Sequence, residues 1–165
     1  MNCLQADAID VVLHGNHHEF GVECFFYVLD KLHGVKMWCT LAEANENYEA
    51  QKRAADLGLA PPVVGNVFTV QDGDYGFITR SAKVLCKRKW PIPTWVTEEM
   101  NSGIFQNAQM LEDKGELPEG YTELGRLLHN NGFWVGDLHA FNCGIYEGKL
   151  VCIDLDYDSD IKAYL

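Results

Sequence analysis

The sequence has no apolar run longer than the six residues from Cys24 to Leu29, too short to cross a bilayer as a helix, so no membrane partner is expected. Its first residues lack the basic and apolar regions of an export signal. Positive charge is scarce: 13 Lys and Arg stand against 24 Asp and Glu, a formal net charge of −11. That field repels phosphate backbones, so nucleic acid is not an expected partner either. The six cysteines (Cys3, Cys24, Cys39, Cys86, Cys143, Cys152) include no CxxC pair. They sit mostly in apolar stretches, which argues against a zinc site or disulfide frame and for reduced thiols in a cytoplasmic protein. No internal repeat or low-complexity segment appears.

What remains is an ordinary globular composition, 47% hydrophobic and 22% charged over 165 residues. At about 100–200 residues per domain, that is one domain with a buried core. The first eighty residues are expected to form five strands and one helix. Ile9 to Leu13, Val22 to Leu29 and Val35 to Cys39 are rich in β-branched and aromatic residues, with turns around Gly15 to Gly21 and at His33 and Gly34. Thr40 with Glu43 three residues on is a capping-box pattern, and Gly58 before Pro61 closes a helix over Leu41 to Leu57. Val63 to Val70 and Tyr75 to Arg80 form a strand pair around Asp72, Gly73 and Asp74. After Pro91 and Pro93, helices are expected over Thr97 to Glu112 and Tyr121 to Asn130. A hairpin follows, Cys143 to Tyr146 and Leu150 to Ile153, turning at Glu147, Gly148 and Lys149. The fold class is therefore α+β: a β-rich N-terminal lobe over residues 1–82 and a mostly helical C-terminal lobe over 83–165, with a ligand cleft expected between such lobes.

The hairpin brings chemistry with it. If it closes as written, Asn142 and Asp154 meet at its mouth, an amide oxygen and a carboxylate suited to magnesium that also holds phosphate. Asp137, five residues before Asn142, lies close enough to serve as general base to a hydroxyl placed there. Loop Asp and Asn residues also favour turns for purely local reasons.

The string Gly136 to Asn142, GDLHAFN, together with Asp154, resembles the catalytic loop and metal-binding segment of the protein-kinase-like superfamily. It is similar to aminoglycoside phosphotransferases, choline kinases and related small-molecule or bacterial kinases. The resemblance implies a two-lobe fold, ATP and Mg2+ as cofactors, Asp137 as the base, and Asn142 and Asp154 on the metal. It further implies Lys36 on the nucleotide phosphates, and a phosphate turn at His18 to Gly21. A helix glutamate would pair with Lys36. Among Glu43, Glu46 and Glu49, Glu46 borders the apolar side of the helix, although a shift of one residue is tolerated. Arg80, Ser81 and Ala82 would offer backbone groups to adenine.

The chain departs from the family pattern at Val135, where a His usually precedes the loop motif, and in its phosphate turn, which carries only Gly15 and Gly21. Leu155 and Asp156 stand in place of Phe and Gly after Asp154. Eleven residues follow Asp154, so the floor under the acceptor is expected from elsewhere: a second copy, a protein partner or a very small acceptor. The apolar residues of Tyr121 to Leu128, with Tyr157, Ile161, Tyr164 and Leu165, are the expected contact, unless the C-terminal residues fold back over the helices of the same chain. So reduced a chain would suit a viral or phage genome. Three readings stay open: an ATP- and magnesium-dependent phosphotransferase, a kinase-like binding protein that transfers nothing, and an unrelated acidic α+β protein. The acidic run from Asp154 to Asp160 is not a calcium loop, since Ser159 stands where glycine is needed and Leu165 where glutamate is. His14, His17 and His18 are expected to be solvated, and the basic group Lys83, Lys87, Arg88 and Lys89 either receives an anionic partner near the cleft or is a solvated surface loop.

Overall fold

The computed structural model describes residues 3–14, 19–20, 25–70, 73–85, 103–136, 138 and 142–155. Among them are four helices and two antiparallel sheets, an α+β architecture. The chain divides into two compact units: residues 1–56 with 61–81, and residues 57–60 with 82–165.

The first unit is built on a five-stranded sheet, β1 (Glu19–Phe20), β2 (Phe25–Val28), β3 (His33–Trp38), β4 (Val63–Thr69) and β5 (Tyr75–Arg80), in the order β1-β2-β3-β5-β4. One expectation fails here. Ile9 to Leu13 is not a strand but the end of helix α1 (Cys3–His14). The β-branched residues suit a strand, yet Leu4, Ala8, Val11 and Val12 recur at helical spacing, and the helix buries them against Val35, Met37 and Ile78. The fifth strand is instead Glu19–Phe20, paired with Phe25 and Phe26. The next turn lies earlier than His33 and Gly34, which both belong to β3. Asp30 makes it: its Oδ1 accepts the Leu32 N–H at 2.6 Å and the His33 N–H at 2.9 Å.

The other face of the sheet is covered by α2 (Leu41–Asp56), through Trp38, Phe77, Ala44 and Tyr48. The Trp38 and Phe77 rings stack at 5.2 Å, and Tyr48 sets its edge on Phe77. The Thr40 cap forms as its spacing requires, with Glu43 meeting the Thr40 hydroxyl. Thr40 Oγ1 accepts the Glu43 N–H at 3.2 Å and donates to Glu43 Oε2 at 2.6 Å. Gly76 must be glycine for a different reason: a Cβ there would sit 2.5 Å from the Lys36 carbonyl oxygen of the neighbouring strand.

The second unit holds β6 (Lys83–Val84), α3 (Gly103–Asp113), α4 (Tyr121–Asn130), β7 (Cys143–Tyr146) and β8 (Lys149–Cys152). β6 pairs with β7 and β7 with β8, so Lys83 lies on a strand, with its side chain exposed. Of the helix expected over Thr97 to Glu112, Gly103 onward is helical and residues 97–102 lie outside the described residues. Helix α4 has the expected bounds. Its leading residue Gly120 brings no side chain to the exposed N–H groups. Glu112 of α3 does so instead, accepting from Gly120 N at 2.6 Å and Thr122 N at 2.9 Å. Helix α4 turns Tyr121, Leu124 and Leu128 inward, so the proposed contact face from Tyr121 to Leu128 is largely core of this unit. Leu127 remains exposed; Tyr157, Ile161, Tyr164 and Leu165 lie outside the described residues. The thiols divide as well: Cys143 and Cys152 are buried, whereas Cys3 and Cys39 are exposed. No helix of the described residues is long and apolar enough to cross a membrane.

Candidate functional site

In the first unit, Lys36 stands in the middle of β3, opposite Phe26 on one side and Phe77 on the other. Directly opposed residues share a face, and the side-chain period along a strand is two. Lys36 therefore lies on the face of Phe77 and Trp38, the one α2 covers, and it is buried, 8% exposed. A buried lysine is uncommon enough to ask for a use. On α2, Glu43 is engaged by the Thr40 cap, while Glu46 and Glu49 are exposed. Of the two outside the cap, Glu46 lies nearer the buried side marked by Ala50. Gly21 lies outside the described residues, although Glu19 and Phe20 just before it are strand, not turn.

The segment proposed for adenine is already partly engaged. The Arg80 N–H donates to Pro62 O at 2.8 Å and the Ser81 N–H to Leu32 O at 2.8 Å. Ala82, half-buried, begins the second unit.

In the second unit the hairpin turns on two residues, not three. Glu147 and Gly148 both take positive φ, 50° and 80°, the pattern of a tight two-residue turn matched to the strand twist. Lys149 consequently pairs with Tyr146. That shifts the register by one residue from the expected hairpin. Asn142 stands opposite Ile153, whose N–H donates to Asn142 O at 2.8 Å, and Asp154 comes one position further. Asn142 is buried and Asp154 exposed. The Asp154 carbonyl is held from within the strand by the Cys152 thiol, at 2.8 Å. Leu59, in the turn that follows α2, accepts the Cys152 N–H at 2.8 Å, so this turn braces the end of β8.

Asp137 lies outside the described residues, as do residues 139–141. Its neighbour Leu138 is buried, donates its N–H to Val135 O at 3.1 Å, and accepts on its carbonyl the hydroxyl of Tyr121. Burial first, then the nearby Cys143 and Cys152 thiols, raises the Tyr121 phenol far above its ordinary range. Burial, then Cys152, does the same to Cys143. Sequence reasoning placed Tyr121 on the surface, and only its position as first residue of an apolar helix face could have hinted otherwise. Among the described residues no group of three or more His, Cys, Asp or Glu is gathered as a metal site. The Asn142 and Asp154 pair is smaller than that, one amide and one carboxylate. No protein-family model and no curated protein matches the chain.

Proposed function

We propose that the protein is an ATP- and magnesium-dependent phosphotransferase of the protein-kinase-like kind, acting on an acceptor hydroxyl with Asp137 as base. The observation that carries this reading is the Asn142 to Ile153 rung, which sets an amide residue and a carboxylate residue on adjacent strand ends in a tightly turned hairpin. Their donor set fits a hard dication, since two protein oxygens leave coordination positions for water and phosphate. Magnesium held there by Asn142 and Asp154 would neutralise phosphate charge. The buried Lys36 would bind nucleotide phosphate, Glu46 would orient that ammonium, and Asp137 would take the acceptor proton. Adenine would meet backbone near Ala82, because the Arg80 and Ser81 N–H groups are engaged. Gly21 would contribute to binding the phosphates.

The test is thermal. Magnesium ATP at about 100 times its dissociation constant adds about 2.7 kcal/mol, a rise in Tm of about 5–10 °C for a chain of this size. Asp154→Ala should lose the magnesium-dependent part of that rise. Asp137→Asn should keep the rise while phosphate transfer falls about 100-fold or more. No rise at millimolar nucleotide would refute the reading. A rise with transfer insensitive to Asp137→Asn would leave a nucleotide-binding protein without catalysis.

A further inference from the structure

Cys143 and Cys152 face each other across the β7–β8 ladder, and the surrounding bonds establish what kind of pair they make. The Cys152 N–H donates outward, to Leu59 O at 2.8 Å, and Cys143 O accepts from outside the hairpin, from the Leu85 N–H at 3.4 Å. The next rung differs, with Ile153 donating across the ladder to Asn142. The cysteines therefore occupy a non-hydrogen-bonded position, where opposed Cα atoms lie about 4.5 Å apart. That falls at the short end of the roughly 4.4–6.8 Å range a disulfide bridges. Both side chains point to one face and into the same interior, beside Tyr121. Both are free thiols, and Cys152 spends its proton on the Asp154 carbonyl.

We infer that Cys143 and Cys152 are a reversible dithiol–disulfide site, oxidised by low-molecular-weight disulfides, whose closure withdraws the hydrogen bond that holds Asp154 at the hairpin mouth. Cys152, 4% exposed where Cys143 is 0%, meets the oxidant first as the hairpin opens. Its thiolate attacks the small disulfide RSSR, forms a mixed disulfide and releases RS⁻, which takes up the proton Cys152 gave. The Cys143 sulfur then attacks the Cys152 sulfur and expels the second RS⁻, which takes up the proton of Cys143. Two protein thiols are oxidised to one disulfide and RSSR is reduced to two RSH. The disulfide itself rests on the ladder alone; its effect on magnesium nucleotide rests on the phosphotransferase reading.

The full chain is equilibrated in glutathione and glutathione disulfide, quenched with acid, alkylated and mapped by peptide mass. The expected product links Cys143 to Cys152, and dithiothreitol reverses it. Separate glutathione adducts on the two, or no link under conditions that modify the exposed Cys3 and Cys39, would overturn the inference. Magnesium ATP titration of reduced and oxidised protein then reads the coupling. Affinity should fall about tenfold on oxidation, the size of effect that disturbed support of a metal ligand produces, and in Cys143→Ala the reaction should stop at a mixed disulfide on Cys152 with no internal link. Unchanged affinity on oxidation would overturn the coupling. If the reduced protein binds no nucleotide, the phosphotransferase reading fails while the mapped disulfide stands.

Discussion

Tyr121 shows how one side chain couples packing to chemistry. Its ring fills the second unit beside two thiols, and its hydroxyl satisfies a carbonyl that would otherwise be buried unpaired in the loop before Asn142. The raised ionisations of Tyr121 and Cys143 have a consequence for stability. Both groups stay protonated in the folded chain at pH values where the unfolded chain ionises them, so the folded state binds more protons there. Their contribution is fully present below the ordinary values of 9.0 for the thiol and 10.0 for the phenol, and is lost as pH rises beyond them. Urea titrations between pH 7 and 11 should show stability falling from about pH 9 upward. Tyr121→Phe should flatten the part above pH 10 while costing about 1–2 kcal/mol at neutrality for the unpaired carbonyl. An unchanged alkaline slope in the variant would show that Tyr121 is not the group titrating.

At the scale of elements, helix α4 depends on its neighbour for its first turn. Gly120 brings no capping side chain, and the carboxylate of Glu112 on α3 takes two of the exposed N–H groups. Burial opposes the charge on Glu112, but the N–H groups of Thr122 and Gly120, with the Thr122 side chain nearby, outweigh it and hold the carboxyl below its usual range. The folded state therefore releases the proton more readily than the unfolded one. This stabilisation is complete above the ordinary value of 4.5 and is lost as pH falls through the lower folded value. Glu112→Gln should cost about 1–2 kcal/mol at pH 7, by loss of charge-assisted bonds, and little at pH 3. Equal destabilisation at both pH values, measured by denaturant unfolding, would assign the loss to packing instead of charge.

For the whole molecule, the excess of eleven negative charges makes self-repulsion the dominant long-range electrostatic effect. Among the described residues, the pair of Arg126 with Glu123 at 2.6 Å is exposed, and exposed pairs stabilise by only about 0–1 kcal/mol. Raising salt from about 10 mM to about 150 mM shortens the screening length from about 30 Å to about 8 Å and should raise Tm. A fall in Tm over the same range, followed by calorimetry, would mean that local pairs outweigh the net charge.

How far the sequence reaches follows from what each signal measures. Helices α2 and α4, strands β4 and β5 and the existence of the β7–β8 hairpin were legible, because caps, glycine stops and alternation act within a few residues. The α+β class follows from them. Helix α1 was not legible, since Ile9 to Leu13 has strand-forming residues and only the sheet surface made by Val35, Met37 and Ile78 rewards the helical arrangement. The register of the hairpin was missed by one residue because Glu147 accepts a positive φ, which composition does not announce. The inward turn of Tyr121 and the facing of Cys143 on Cys152 depend on pairings far apart in the chain. Local chemistry thus determined the elements and the residue types at the candidate site. Which faces are buried and which thiols meet were decided by tertiary packing, because burial is a property of surfaces that only the folded chain brings together.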